Sequence, residues 1–205
     1  MHMNRAALLK VIATTGYNVG FGAKKHFATF DMVEKLPGWI GLASLTASVL
    51  ALFIQQLEEK YVSAAFTILG IAAITFNSYN ESKGLYEKNG IDLTKKFHEL
   101  RTLYETVKSQ SENADMTPYI AEHVRIQNEA LQFGMSKHIF LSDWYAHIKF
   151  FGQTQIDWMN EQLNFGFIKD KLPFSLKLFV VAAGILVGFA YSPDAAAYLK
   201  TFCGK

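Results

Sequence analysis

Two apolar runs joined by a short charged segment decide the fold of this chain. The first run, at residues 39–54, reads WIGLASLTASVLALFI, and the second, at residues 61–76, reads YVSAAFTILGIAAITF. Neither contains a charged residue, and QQLEEK at residues 55–60 separates them. A bilayer core requires roughly 20 mostly apolar residues in helical form. With the interfacial residues counted, residues 39–77 predict an antiparallel transmembrane hairpin.

The alternative is a helical pair buried in the core of a soluble protein. Such helices usually keep a polar stripe toward water, and charged residues are its commonest content. The polar residues of the two runs are instead Ser, Thr, Gly and Gln. In lipid, small residues of this kind let helix backbones approach closely. The pattern therefore favours a membrane.

Composition excludes several classes of protein. The chain has 205 residues and a net charge of +2. The sequence shows no clustered basic face of the kind that binds DNA or RNA, so such binding is not predicted. Cys203 is the single cysteine, so an internal disulfide framework is excluded and no zinc site is offered. Nothing in the composition implies a cofactor.

Residues 1–36 are predicted to form a cytoplasmic amphipathic helix. One face of it recurs at spacings of four and three and consists of Leu8, Ile12, Thr15, Val19, Gly22 and His26. Gly16, Gly20 and Gly22 are interpreted as positions of close packing. Residues 36–38, Leu-Pro-Gly, are predicted to end the helix. This region lacks the apolar core of a cleavable signal, so the hairpin is expected to direct the chain to the membrane.

Basic residues predict the orientation of the hairpin, residues 37–78. Five Lys or Arg precede it, Lys60 alone lies in the turn, and a second group follows: Lys83, Lys88, Lys95, Lys96 and Arg101. The positive-inside rule places both ends in the cytoplasm.

Each predicted span also carries a stripe of small, weakly polar residues. The stripes consist of Gly41, Ser44, Ser48, Ala51 and Gln55 in the first span and Ser63, Thr67, Gly70 and Asn77 in the second. They either face each other and pack the hairpin or line a pore between copies. Neither stripe is charged, so no fixed-charge selectivity ring is expected.

Residues 79–172 are predicted to form a cytoplasmic, all-helical region. The second span is expected to continue to Asn89-Gly90, and Asp92 to begin a new helix. That helix carries a heptad-like seam, Leu93, Phe97, Leu100, Tyr104 and Val107. Residues 109–116 read as a loop, and Thr117-Pro118 as a helix start.

Three further helices are predicted, with apolar inner faces. The faces are Ile120, Val124, Gln127 and Leu131; then Phe140, Trp144, Ile148 and Phe151; then Ile156, Met159, Leu163 and Phe167.

A third apolar run at residues 173–192 is predicted to be a third transmembrane helix. It has one charge, Lys177, near its start, which can reach the interface, and Gly184 and Gly188 form a small-xxx-small face. A buried helix or one lying on the membrane are the alternatives. If it spans, the tail at residues 193–205 with Cys203 faces outside.

No residue pattern predicts catalysis. Asp143 and His147 lie four apart and could bind a metal, but a solvated polar face explains them better. A membrane enzyme would carry ionisable groups within its spans, and these spans have none. We therefore predict no enzyme, no catalytic residue and no metal site.

Two features could serve ligand binding. One is a group of aromatic residues that either stacks a nucleobase, lies against the membrane or forms core: Phe140, Trp144, Tyr145, Phe150, Phe151, Trp158, Phe165 and Phe167. The other is a set of candidate contacts to an anionic ligand: Lys95, Lys96, Arg101 and Arg125. A solvated charged face explains these cations equally well.

Several of these features together resemble the SLATT family of two-transmembrane effector domains. They are Tyr17-Asn18 and Lys24-Lys25 on the first helix, the two-span hairpin, and the sequence Phe97-His98-x-x-Arg101-x-x-Tyr104 after it. The resemblance covers residues 5–110. Gly20-Phe-Gly22 replaces the arginines usual there, and residues 113–205 are expected to extend beyond the domain.

The resemblance implies a bacterial antiviral effector associated with nucleotide-synthase and nucleotide-sensor proteins. Such an effector is expected to sit in the inner membrane, to form a homo-oligomer, and to open a pore or disrupt the bilayer under a nucleotide signal. A membrane anchor that docks a soluble partner is the alternative. The predicted fold class is an all-α membrane protein with an amphipathic N-terminal helix, a transmembrane hairpin, a cytoplasmic helical bundle and a third C-terminal transmembrane helix.

Overall fold

The computed structural model describes residues 3–190, and regular structure within them is entirely helical. The all-α class is therefore confirmed. The helices are α1 Arg5–Ala51, α2 Lys60–Asn77, α3 Lys83–Lys108, α4 Thr117–Leu131, α5 Ser142–Gln153, α6 Asp157–Leu163 and α7 Phe174–Ala190. Short 3-10 turns occur at Gln55–Glu58 and Asn80–Ser82. The chain divides after Asn164 into two compact units, of which the second contains α7.

Helix α1 is longer than the sequence predicts. Asn4 caps its start, where the side-chain oxygen accepts a hydrogen bond from the Ala7 backbone N–H at 2.9 Å. The helix then continues through Pro37 to Ala51, so the prediction that residues 36–38 end it is wrong. A proline removes one backbone hydrogen bond. The helix-forming residues on both sides keep their own bonds, and the helix persists.

The predicted inner face of α1 is largely confirmed. Leu8, Ile12, Thr15, Val19 and His26 are buried, and Gly22 is half-buried. The buried surface is wider than one stripe because α1 packs against α3, α5 and α6 together.

Close packing explains two of the α1 glycines. A Cβ atom built on Gly16 would lie 2.3 Å from Trp158, and one on Gly20 would lie 2.7 Å from Phe97. Side chains on other helices therefore occupy the space of the missing methyl groups.

Helix α3 is continuous where a break was expected. The prediction that Asn89-Gly90 ends a helix and Asp92 begins another is wrong, because both lie inside α3. The interruption after α2 falls instead at residues 78–82. Gly90 faces α1, where an added Cβ would come within 3.1 Å of Phe27. The predicted seam is confirmed, since all five of its residues are buried.

Helix α4 turns a different face to the core from the predicted one. Val124 and Leu131 are exposed, and His123, Ile126 and Ala130 are buried instead. The physical reason is a polar contact that periodicity does not show. The ring Nε2 of His123 lies 2.9 Å from the Thr15 hydroxyl, which allows a polar side chain inside the bundle.

The faces of α5 and α6 also differ from the prediction. Phe140, Ile148 and Phe167 are exposed, although they were placed on inner faces. The buried positions are Ser142, Ala146 and Phe150 in α5, and Trp158 and Met159 in α6. These segments contain more apolar residues than the short helices can bury, so apolar spacing alone does not identify the core face.

The two apolar runs are exposed within the described chain. Helix α2 has no buried residue, and Trp39 and Phe53 are 66% and 81% exposed. The alternative of a pair buried in the core of this chain is therefore wrong. In the described part, α2 is the one helix long and apolar enough to cross a membrane. The first run is helical to Ala51, and residues 52–54 lie outside the helix.

Helix α7 is also apolar and exposed, but it is shorter than the usual span, with its apolar part at Phe174–Phe189. Lys177 near its start donates a hydrogen bond to the backbone carbonyl of Ile168 at 3.0 Å. Residues 191 and 192 of the predicted third span, and the tail with Cys203, lie outside the described residues.

Candidate functional site

A cavity with two basic side chains lies between α1, α3 and the connection from α5 to α6. We call it the basic cavity, and its volume is about 280 Å³. Its lining contains no acidic residue and consists of Gly20, Ala23, Lys24, Thr94, Phe97, His98, Arg101, Gln153, Thr154 and Gln155.

Helical spacing brings the two cations to the basic cavity. Lys24 follows Gly20 by one turn of α1, and Arg101 follows Phe97 by one turn of α3. The close contact of Gly20 with Phe97 therefore sets the distance between the two helices at this point. The Arg101 guanidinium donates a hydrogen bond to the Gln155 side-chain oxygen at 2.9 Å.

The surroundings of Lys24 are electrostatically unfavourable. Burial lowers the pKa of its amine, and repulsion from Lys149 lowers it further. The neighbouring lysines each have an acidic partner: Lys25 pairs with Asp143 at 2.9 Å, and Lys149 pairs with Asp31. Lys24 has no such partner among the ion pairs of the described chain.

Three of the four predicted anion contacts lie outside the basic cavity and carry acidic partners. Lys95 pairs with Asp92 at 2.8 Å, while Lys96 and Arg125 both pair with Glu129 at 2.6 Å. The Lys96 and Arg125 side chains lower the pKa of the Glu129 carboxyl. Only Arg101 of the four lines the basic cavity. Binding of an anion by any of them stays a prediction.

Most residues of the basic cavity, Lys24, His98 and Thr154 among them, were not predicted from the sequence as ligand contacts. Lys24 and His98 entered only as parts of the family resemblance. A usable signal was present in the equal four-residue steps from Gly20 to Lys24 and from Phe97 to Arg101. Nothing in the sequence singles out Thr154, whose Oγ1 atom is buried without a hydrogen-bond partner among residues 3–190.

The small-residue stripes divide into two groups. Ser44, Ser48, Ala51 and Ser63 line a cavity of about 450 Å³ between α1 and α2. Gly41 and Gly70 have open space where a Cβ would stand. Gln55, Thr67 and Asn77 are exposed and lie outside this cavity.

A second polar region contains two histidines whose rings meet edge to face. The rings of His26 and His138 lie 4.9 Å apart between centroids, and His138 Nδ1 lies 3.0 Å from the Thr29 hydroxyl. Burial and repulsion from His138 lower the pKa of His26 to about 4. His26 is therefore neutral at physiological pH. Burial also lowers the pKa of His138.

The pair Asp143 and His147 is involved in other contacts. The Asp143 carboxylate pairs with Lys25, and His147 Nδ1 lies 2.9 Å from the Asp143 backbone oxygen. No group of three metal-ligating side chains occurs among residues 3–190.

The aromatic group is split between core and surface. Phe150 and Trp158 are buried, and Trp158 packs against the rings of Phe97 and Tyr104 at centroid distances of 5.7 and 5.2 Å. Phe140 and Phe167 are exposed.

A helical bundle with an exposed apolar helix long enough to cross a membrane, as α2 is here, is typical of membrane-associated proteins. Within this class, the chain belongs to the family described as SMODS and SLOG-associating 2TM effector domain 6, which matches residues 3–180. The SLATT resemblance is thus confirmed. Its extent was underestimated, because residues 113–180 lie within the domain. No curated protein and no solved structure matches the chain.

Family membership carries a coarse function. The chain is a membrane effector domain of defence-associated systems, and the family name links it to SMODS and SLOG proteins of nucleotide systems. The family is one of effectors and is not a known enzyme family.

Proposed function

We propose that this chain is an effector of a bacterial antiviral defence system that self-associates in the inner membrane and permeabilises it under a nucleotide signal. The outcome is growth arrest or death of the infected cell. The proposed arrangement is a hairpin of the apolar end of α1 with α2, both ends cytoplasmic, and α7 as a third span.

The observation that carries this proposal is the exposure of the apolar runs, which contain few charges, in a chain of this family. Burial of a side chain such as Leu or Ile is worth about 1.5–3 kcal/mol. Exposure of many such side chains, Leu45 at 65% and Ile68 at 66% among them, therefore requires another apolar environment. A bilayer supplies it, and the basic residues at the two cytoplasmic ends favour the proposed orientation.

Self-association is supported by the glycines on the open surface of the pair. A Cβ atom added to Gly41 or Gly70 would meet no other part of the described chain within 4 Å. Small residues in lipid commonly mark the contact between helices. A single pair of helices encloses no aqueous pore, so permeation requires several copies.

A second candidate function is a membrane anchor that docks a soluble partner without forming a pore. The cavity between α1 and α2 favours it, because Ser44, Ser48 and Ser63 face each other inside one copy. A stable complex with a soluble partner, together with intact liposomes, would support this function.

The test is expression of the chain with its nucleotide-signalling partner, with growth and membrane potential measured. Depolarisation and arrest are expected for the wild type.

Gly70→Leu and Ser48→Leu are expected to abolish toxicity while the protein still fractionates with membranes, because added bulk blocks contact between copies or within the pair. Ala65→Leu, on an exposed position outside the stripe, is the matched control and is expected to stay toxic. Full toxicity of both stripe variants would show that the stripes do not matter, and an unchanged membrane potential in the wild type would contradict permeabilisation.

A further inference from the structure

The basic cavity holds positive charge without an internal counter-charge. Lys24 and Arg101 both line it, and none of its lining residues is acidic. Other cations nearby are neutralised, as the pairs Lys25–Asp143 and Lys149–Asp31 show. The absence of a carboxylate is thus local to this cavity within the described chain.

Retaining such a charge has a cost. Removing an ammonium group from water without a partner is unfavourable, and this burial lowers the pKa of Lys24. Structural packing would be served equally well by an uncharged side chain of similar length. A bound anion offsets this cost.

One residue that lines this cavity, Thr154, carries a polar atom with no partner in the described chain. The Thr154 Oγ1 atom is buried and has no hydrogen-bond partner in the described chain. Buried hydroxyls are nearly always hydrogen-bonded, so an unpaired one requires an explanation. An oxyanion in the cavity would accept a hydrogen bond from it.

We propose that the basic cavity binds the phosphate group of an anionic ligand, with Lys24 and Arg101 pairing with phosphate oxygens and Thr154 donating a hydrogen bond. This inference rests on the proposed nucleotide control and names the site for it. Arginine and lysine with hydroxyl donors form the usual environment of bound phosphate. The volume of about 280 Å³ is at the low end of the roughly 300–1,000 Å³ of small-molecule sites. A phospholipid headgroup shares this chemistry, and the experiment separates the two sources.

The position of the cavity connects it to the apolar helices. Its walls include α1, which continues without interruption into the first apolar run, and α3, which follows α2 after one 3-10 turn. Lys24 lies about 20 Å along the helix axis from Pro37, at 1.5 Å per residue. A ligand that pulls Lys24 and Arg101 together therefore acts on the two helices that lead to the membrane.

The direct test measures phosphate binding by the full-length protein in phosphatidylcholine nanodiscs. Inorganic pyrophosphate is the probe, titrated by calorimetry. We expect saturable binding that Lys24→Gln and Arg101→Gln each weaken at least tenfold. Lys10→Gln on α1 and Lys88→Gln on α3 remove the same charge at exposed positions and are expected to change the Kd less than twofold. Equal weakening by the controls, or no saturable binding in the wild type, would overturn the proposal.

Stability separates a binding role from a structural one. Lys24→Gln removes an unpaired charge and is expected to raise the Tm of the ligand-free protein. Thr154→Val removes no hydrogen bond within the chain, so its Tm should be unchanged while binding weakens severalfold. Unchanged binding in both Arg101→Gln and Thr154→Val would show that the cavity is not a phosphate site.

Competition identifies the source of the phosphate. Displacement of pyrophosphate by ATP or a cyclic dinucleotide, but not by phosphatidylglycerol in the nanodisc, supports a nucleotide site, and the reverse result supports a lipid headgroup. Displacement by neither overturns the proposal, because an inorganic anion alone would then bind. Dye release from liposomes is measured separately. Binding without dye release contradicts the permeabilising function but supports the phosphate site. Dye release without binding overturns the phosphate site but supports the permeabilising function.

Discussion

At the residue scale, glycines set how closely the helices of the bundle approach one another. The indole of Trp158 occupies the space beside Gly16, and the ring of Phe97 occupies the space beside Gly20. Gly22 differs, because the nearest side-chain atom to its built Cβ belongs to Leu93 at 3.7 Å, an ordinary contact. Neighbouring glycines on one helix therefore have opposite roles.

This difference predicts opposite effects of the same substitution. Gly16→Ala is expected to lower the free energy of unfolding by about 1–3 kcal/mol, the usual cost of overpacking a core. Gly22→Ala is expected to raise it by up to about 1 kcal/mol, because alanine favours the helix. Chemical unfolding in detergent, followed by circular dichroism, measures both. Equal stability of Gly16→Ala and the wild type would contradict the observed Trp158 contact.

The buried His26 predicts that stability depends on pH. The residue is 2% exposed, and its Nδ1 atom has no hydrogen-bond partner in the described part of the chain. Its pKa in the folded chain is about 4, against an ordinary value of 6.5. Between these values the unfolded chain binds more protons, so the free energy of unfolding falls as pH is lowered from about 6.5 to about 4. The loss is up to about 3 kcal/mol, since each pH unit corresponds to about 1.4 kcal/mol.

The measurement is unfolding of wild type and His26→Gln at several pH values, each normalised to its own stability at pH 7.5. As pH is lowered, the free energy of unfolding of the variant is expected to fall less steeply than that of the wild type. The difference in slope corresponds to the uptake of about one proton. The pKa values of His123 and His138 are also lowered, so these residues contribute to the pH dependence of stability in both proteins. Identical slopes would show that His26 does not titrate in this range.

At the scale of the element, α1 joins the bundle to the exposed apolar run at residues 39–51 without a loop. Its first part is buried by α3, α5 and α6, while its last part, after Pro37, is exposed and apolar. A proline interrupts one hydrogen bond of this helix, and such prolines are common in helices that enter lipid. A continuous helix can transmit a displacement that a flexible linker would absorb.

The exposure of α2 predicts that a charge is tolerated differently on α2 and on the bundle. Ile68 near the middle of α2 and Leu131 at the end of α4 are 66% and 73% exposed. Ile68→Lys is expected to impair membrane insertion, because a lysine at the centre of a span costs about 2.5–3.5 kcal/mol. Leu131→Lys lies at a similarly exposed position on the bundle and is expected to leave the inserted fraction unchanged. Carbonate extraction of membranes, with immunoblotting, measures the inserted fraction, and full insertion of Ile68→Lys would contradict a spanning α2.

At the scale of the whole molecule, five helical segments form a bundle from which the apolar pair extends. The bundle has an aromatic and aliphatic interior, and ion pairs such as Lys96–Glu129 join α3 to α4 at its surface. The basic cavity lies between α1 and α3, the two helices that lead to the apolar pair. The two cations of the cavity thus lie in the bundle, apart from the exposed apolar runs of α1 and α2.

Local patterns were sufficient for much of this architecture. The all-helical class, the exposed apolar runs, the seam from Leu93 to Val107 and the loop at residues 109–116 follow from periodicity and composition, which depend on near neighbours in the chain. The family could also be recognised from Tyr17, Lys24 and the residues around Arg101, since residue type and spacing suffice for that.

Errors arose where distant packing outweighs local preference. Pro37 and Gly90 usually end a helix, yet α1 and α3 continue through them. In α4 and α5 the core accepts His123 and Ser142 while Leu131 and Ile148 stay in contact with solvent. Which face is buried depends on the neighbouring helices, and a single segment does not contain that information.

The sequence by itself determined that this protein is helical, that two uncharged runs are suited to lipid and that its family is one of membrane effectors. Only the tertiary structure decided which cations lie next to a carboxylate and which do not. Lys96 and Arg125 share the carboxylates of Glu99 and Glu129. In contrast, Lys24 and Arg101, far apart in the chain, line one cavity whose described lining holds no carboxylate. The physical reason is that electrostatic pairing depends on distance in space, which the packing of α1 against α3 and α4 fixes.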